Sequence, residues 1–311
     1  RARDLRVIVV LANRWHDYGG FPEYARWAEL DVPYEPNGDL PFALLGRFYS
    51  SERAQALYQA HVRRVVTRVN ARSGLAYRDD PTVFAWELAN ETSAQAEEDE
   101  EALVAWTRAQ AAFIKALDPN HLVSAGHIGY DTLRERSTWL RVQALAEIDY
   151  ADTHVYPLGD PRVRSKAALA RYIGDRIALA HGTLHKPLVF GEFGFDTDRA
   201  SRHGRSRVAW TRDFLVEVAR LGVAGALVWF YEPAAASTRR HTIPAVPSMT
   251  NAPIRVALRA SARAFANDVP PASIRADTTP VFTEREILRG TRVHTFAREG
   301  DGFLLRADPL A

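Results

Sequence analysis

Two glutamates stand in matching places along the chain. Glu91 closes the run Val83-Phe84-Ala85-Trp86-Glu87-Leu88-Ala89-Asn90-Glu91, and Glu192 closes Leu188-Val189-Phe190-Gly191-Glu192. Each carboxyl group follows a nearly continuous apolar segment, where a charge is costly unless it is paired or used. Taken alone, either is explained by a helix-start charge or a partnered structural carboxylate. Taken together, they are the pair that glycoside hydrolysis requires: one carboxyl protonates the departing oxygen, and the other attacks the anomeric carbon or activates water. A separation of about 5 to 5.5 Å would mean retention of configuration through a covalent glycosyl-enzyme.

Something must carry these groups to one place. Short apolar runs rich in β-branched and aromatic residues recur at 6–12, 82–88, 121–125, 149–154, 187–190 and 224–230. Their continuous hydrophobicity predicts strands covered on both faces. Helical patterns fill the intervals at 54–70, 98–117, 166–181 and 207–221, and strand-helix alternation argues for a parallel α/β sheet. The strands run out into Asn13 and Trp15, Asn90 and Glu91, His154 and Tyr156, Glu192, and Trp229. Polar and aromatic strand ends are the mark of a (β/α)8 barrel mouth, so a TIM barrel is expected over a doubly wound sheet. Six strands are visible. The segment 31–48, rich in Pro, Gly and aromatics, reads as a long loop shaping a cleft. A catalytic barrel over 1–268 is expected, closing with a helix at 254–267 and a linker at 268–271. A C-terminal extension follows over 269–311, with a hairpin around Glu299-Gly300-Asp301-Gly302.

Composition narrows the function classes. The 311 residues carry 40 basic and 38 acidic side chains for a net charge of +2, with no basic run that would track phosphates. Nucleic acid is not an expected partner, and only Lys115, Lys166 and Lys186 are lysines. With no cysteine, thiolate nucleophiles and Cys-ligated zinc are ruled out, and the histidines lack metal-ligand spacing, so neither metal nor cofactor is expected. No Gly-rich phosphate loop follows a strand, and the apolar runs are too short to span a bilayer. The Asn90-Glu91-Thr92 sequon is taken as coincidental, since a glycan there would block the site.

Five ordered segments sharpen this reading. Ala12-Asn13-Arg14-Trp15-His16-Asp17-Tyr18-Gly19-Gly20, Trp86-Glu87-Leu88-Ala89-Asn90-Glu91, Asp118-Pro119-Asn120-His121-Leu122-Val123, His154-Val155-Tyr156-Pro157 and Gly191-Glu192-Phe193-Gly194-Phe195 together resemble glycoside hydrolase family 5, most of all its endo-β-1,4-mannanases. The likeness runs from about residue 6 to residue 266. It implies a retaining mechanism on β-mannan or manno-oligosaccharides, with Glu91 as general acid/base after the fourth barrel strand and Glu192 as nucleophile after the seventh. By the same resemblance Asn90 bonds the sugar 2-hydroxyl, Tyr156 holds the nucleophile, His154 orients the site and Trp229 floors it. Asn13 and Trp15 are further substrate-binding candidates. Each has a bland alternative: His154 as a satisfied core histidine, Tyr156 as turn chemistry before Pro157, Trp229 as core, and Trp15 as packing beneath the 31–48 loop.

The resemblance also implies that the chain opens at the third barrel strand, two βα units short, without the arginine the family carries after its second strand. Thr92 and Ser93 stand where Pro and Arg usually follow Asn-Glu, and Gly126-His127-Ile128-Gly129-Tyr130 replaces a more acidic segment, so leaving-group contacts should differ. A monomer, secreted or periplasmic, is expected. A β-glucanase or exo-β-mannosidase of the same family is the alternative enzyme. A non-catalytic carbohydrate-binding barrel or an inactive fragment is the alternative of another class.

Overall fold

The computed structural model describes residues 5–33, 35 and 38–230, together with the backbone of 291–299 and 302–309. Its strands are β1 (Val7–Val10), β2 (Val83–Glu87), β3 (Leu122–Ser124), β4 (Ala151–Val155), β5 (Leu188–Phe193), β6 (Gly225–Val228), β7 (Thr291–Glu299) and β8 (Gly302–Pro309). The α-helices are α1 (Phe21–Trp27), α2 (Leu45–Ser50), α3 (Glu52–Val66), α4 (Glu97–Leu117), α5 (Leu133–Gln143), α6 (Lys166–Ile177), α7 (Thr197–Arg202) and α8 (Arg207–Leu221). The chain divides into two compact units, Arg1–Asp152 with Thr295–Leu304, and Thr153–His294 with Leu305–Ala311. Strands β7 and β8 form a two-stranded sheet. The helix expected at 254–267 and the linker at 268–271 lie outside the described residues. Among the described residues no helix is long and apolar enough to cross a membrane.

Strand and helix alternate as the apolar runs require, and the six expected strands are all present. The single barrel sheet is not. The strands form two separate three-stranded parallel sheets, ordered β1-β2-β3 and β4-β5-β6, which overturns the expected (β/α)8 closure. Side chains supply the physical reason. The Asp149 carboxylate takes the Val123 N–H at 2.7 Å and is paired with Lys115 at 2.5 Å. The Asp152 carboxylate takes the Gly126 N–H. At Asp152 itself the N–H goes to the Gln143 amide oxygen and the carbonyl accepts from Gln143 and the Trp139 indole. One main-chain bond joins β3 to the segment before β4, Asp149 N–H to the Val123 carbonyl at 2.9 Å, while the Val123, Gly126 and Asp152 N–H groups and the Asp152 carbonyl go to carboxylates and to α5 or its side chains. The expectation of strands covered on both faces also holds only in part. β3 and β4 are buried throughout, whereas Val7 and Val10 of β1 are 44% and 49% exposed.

Helix starts follow local chemistry. Ser51, Ser165 and Ser206 each accept the N–H of the residue three positions on, opening α3, α6 and α8, caps worth about 1 kcal/mol apiece. Thr132 and Glu135 close a reciprocal capping box at α5. In the first unit the core is aromatic: Phe21 stacks on Phe48 at 3.9 Å, and Tyr58 and Trp106 approach to 5.3 Å. In the second, Phe193 stacks on Phe214 at 4.5 Å, with Phe190 beside it. Each sheet therefore has its own packed backing, which fixes the strand ends that follow.

Candidate functional site

In the first unit the β1–β2 register, Val10 opposite Glu87, is carried past both strands by a bridge between Asn13 and Asn90. Asn90 N–H bonds the Ala12 carbonyl at 2.9 Å, and Arg14 N–H bonds the Asn90 carbonyl at 3.0 Å. The two asparagine side chains are therefore neighbours. Asn90 Nδ2 donates to Asn13 Oδ1 at 3.1 Å, and the same oxygen accepts the Trp15 N–H at 3.2 Å. Asn13 thus orients Asn90 and Trp15. Gly20 is needed to close this loop, because a Cβ there would meet the Trp15 and Asn13 carbonyls.

Glu91 sits in the gap between two bridges, Asn13 to Asn90 on one side and Thr92 to His127 on the other. Its backbone is forced to φ 61°, a left-handed conformation that costs a side-chain-bearing residue about 1–3 kcal/mol and persists only where neighbours enforce it. The enforcing bonds are Thr92 N–H to the Gly126 carbonyl at 3.1 Å and Ile128 N–H to the Thr92 carbonyl at 3.2 Å. Held in this way, the partly buried Glu91 carboxylate receives the Trp15 indole N–H on Oε2 at 2.5 Å. Trp15 also packs edge-on against Phe42 at 6.0 Å, so its two candidate roles, at the site and beneath the loop, coincide.

Arg14 is the functional candidate that the sequence did not single out. It is 1% exposed, and its guanidinium lies 3.7 Å from the Trp15 ring centroid and 3.4 Å from that of Phe42. Burial pulls its pKa below the ordinary arginine value, while the nearby Asp39 and Glu91 carboxylates push the other way. The following residue, His16, is tied through Nδ1 and its N–H to Asp39, both at 2.8 Å.

In the second unit the nucleophile candidate is carried on β5, at a break in its pairing with β6. The β5–β6 register shifts between Phe190 and Phe193, and Glu192 lies in that irregularity, a device that re-aims a side chain. Tyr156 donates its phenol O–H to Glu192 Oε2 at 2.6 Å, and Nδ1 of the buried His154 lies 3.5 Å from the same oxygen. The Glu192 side chain is 13% exposed. Two glycines make room for its partners. A Cβ on Gly191 would stand 3.0 Å from His154 Nε2, and one on Gly194 would stand 2.9 Å from Tyr156 Cε1. Trp229, half-buried after β6, donates its backbone N–H to the Phe193 carbonyl at 2.8 Å, and its ring is tilted against Phe230 at 5.3 Å.

The predicted residues thus gather as two clusters, Asn13, Trp15, Asn90 and Glu91 in the first unit and His154, Tyr156, Glu192 and Trp229 in the second. The Asp118 motif belongs to neither. Its carboxylate accepts the Trp86 indole and the His121 ring, both at 2.7 Å, beneath β2 and β3.

A putative mannan endo-1,4-beta-mannosidase 5 of Oryza sativa subsp. japonica is 33% identical over 258 residues, covering 74% of this chain and 51% of its own length. A putative mannan endo-1,4-beta-mannosidase 4 of Arabidopsis thaliana is 32% identical over 249 residues, covering 72% of this chain and 59% of its own. The chain spans roughly half the length of these relatives. Among solved structures, the hyperthermostable endo-1,4-beta-D-mannanase of Thermotoga petrophila RKU-1 superimposes with a TM-score of 0.67 at 25% identity, covering 83% of this chain and 75% of that one. A sequence model described as GH family 5 beta-mannosidase-like matches residues 1–223, well over half of the 311, and the chain belongs to that family.

Proposed function

We propose that the chain hydrolyses β-1,4-mannosidic bonds with retention, Glu192 attacking the anomeric carbon and Glu91 protonating the departing oxygen, then deprotonating the water that releases the glycosyl-enzyme. The observation that carries this reading is the matched holding of the two carboxylates. Each receives an aromatic side chain's donor on Oε2, the Trp15 indole on Glu91 and the Tyr156 phenol on Glu192. Hydrogen bonds of this kind fix the direction in which a carboxyl group points. Asn90 offers an amide for the sugar 2-hydroxyl, and Trp229 a ring for the sugar at the cleavage point. The mannan-directed names of the relatives support the substrate class, and the chemistry calls on no metal. A polymeric substrate also supports action outside the cytoplasm.

The test is product analysis with the 311-residue chain on mannan, mannohexaose, glucomannan, cellulose and an aryl β-mannoside. Manno-oligosaccharides released first as the β-anomer are expected. Release of sugar from none of these substrates would overturn the activity, and a first-formed α-anomer would overturn retention.

A further inference from the structure

We propose that Arg14 is a positioning residue for the general acid/base, its guanidinium clamped between Trp15 and Phe42 so that the Trp15 indole N–H stays on Glu91. This inference rests on Glu91 being the acid/base.

A buried arginine normally finds carboxylate or carbonyl partners for its N–H groups. Here Nε and Nη1 are buried without a hydrogen-bond acceptor among the described residues. What holds the group is the faces of two mutually perpendicular rings, its central carbon lying 3.7 Å from the Trp15 centroid and 3.4 Å from that of Phe42, contacts that a delocalised guanidinium suits better than a compact, strongly hydrated ammonium. The Trp15 backbone N–H is fixed on Asn13 Oδ1 at 3.2 Å, and its ring meets Phe42 edge-on at 6.0 Å. Removing the guanidinium therefore frees a face of the ring whose N–H is aimed at Glu91. The indole N–H that this clamp aims is the one bonded to Glu91 Oε2 at 2.5 Å. Phe42 and Asp39 both come from the loop after α1, and Asp39 binds the adjacent His16. The loop thus grips residues 14 to 16 in succession, and the grip is passed to the carboxylate through one hydrogen bond.

A positioning fault at a general acid has a signature that general destabilisation lacks. Cleavage of mannohexaose needs a proton delivered to a poor leaving group, whereas departure of 2,4-dinitrophenolate from an aryl β-mannoside does not. Arg14→Gln and Arg14→Lys should lower kcat/KM for mannohexaose by about 10-fold or more, and for formation of the glycosyl-enzyme from the dinitrophenyl mannoside by less than about 3-fold. Trp15→Phe, which keeps the ring and removes the donor, should show the same split, and Arg14→Gln added to Trp15→Phe should cost little more. Equal losses on both substrates, no loss on either, or additive effects in the double variant would overturn the proposal. Glu91→Ala is the control. If it fails to discriminate between leaving groups, the acid/base assignment falls and the inference with it; if it discriminates and the Arg14 variants do not, only the positioning role falls.

Discussion

The two glutamates are held by opposite means. Glu91 projects from an irregular stretch between two isolated bridges, with φ at 61° and an indole reaching it from another loop. Glu192 projects from β5 itself, and its partners Tyr156 and His154 come from the end of β4, packed close against Gly191 and Gly194. The contrast follows the jobs proposed for them. A nucleophile must meet one carbon along one line, and a misplacement of about 1 Å can cost about 100-fold, so strand backbone suits it. An acid/base needs hydrogen-bond reach to a leaving group and then to water, which a loop-mounted carboxylate can supply.

The largest effects should come from removing each carboxylate and asking which substrates survive. Glu192→Ala is expected to lower turnover by more than about 10³-fold on every substrate, because no glycosyl-enzyme can form. Glu91→Ala is expected to lose about 10²- to 10⁴-fold on mannohexaose but far less in the first step on a dinitrophenyl mannoside, with added azide restoring turnover as β-mannosyl azide. Steady-state kinetics and product identification read both. The same loss pattern for both variants would erase the distinction between the two glutamates.

Smaller changes probe the means of holding. Tyr156→Phe removes a hydrogen bond to a charged group, worth about 1.5–3 kcal/mol, and should cut kcat by about 10- to 100-fold while thermal stability stays close to the parent's. Gly194→Ala should mimic it more weakly, by pushing on the Tyr156 ring. In the first unit the corresponding glycine acts on the fold. Gly126 has φ +69°, and a Cβ there would meet the Ala89 carbonyl, so Gly126→Ala should cost about 1–3 kcal/mol of stability in denaturant titrations. A purely catalytic effect at Gly126, or a purely stability effect at Gly194, would reverse the assignment.

The positions of β1 to β6 were legible because apolar runs bounded by polar ends leave few alternatives. So was α8, whose observed limits of Arg207 to Leu221 coincide with the periodic pattern. Helix α5 was missed although Thr132 and Glu135 carry the spacing of a capping box, because its few apolar residues make a weak stripe. Sheet closure was misread for a different reason. Strand count says nothing of which edge groups are already bonded, and Asp149, Asp152, Gln143 and Trp139 are polar or aromatic residues whose use as ladder substitutes depends on the tertiary path. The Arg14 contacts were illegible likewise, since Phe42 reaches them from a short 3-10 turn inside a segment expected to be loop. The site residues showed in sequence as types; of what holds them, the Tyr156–Glu192 contact was expected from the resemblance, whereas the Trp15 hold on Glu91 was not.

The finest test compares a buried carboxylate in each unit. Asp118 accepts from Trp86, from the His121 ring and from the Asn120 N–H at 2.8 Å. Burial alone would raise its pKa, but these bonds outweigh burial and hold it below the usual carboxylate range. A carboxylate depressed in the folded state contributes stability above its unfolded pKa of about 3.9 and loses it as pH falls through the folded value. Asp160 in the second unit is also depressed, first by its hydrogen bonds to Arg162, but that arginine side chain is 76% exposed, so solvent and salt screen the pair. Asp118→Asn should therefore cost about 1–2 kcal/mol at pH 7 with little salt dependence, the difference from the parent shrinking as pH falls below the unfolded value of about 3.9. Asp160→Asn should cost less than about 1 kcal/mol and less still in high salt. Urea titrations at neutral and acid pH and two salt concentrations decide it. Equal, salt-sensitive losses would mean that the Asp118 network is as superficial as the Arg162 pair, and that the first unit's polar interior does not anchor β2 and β3.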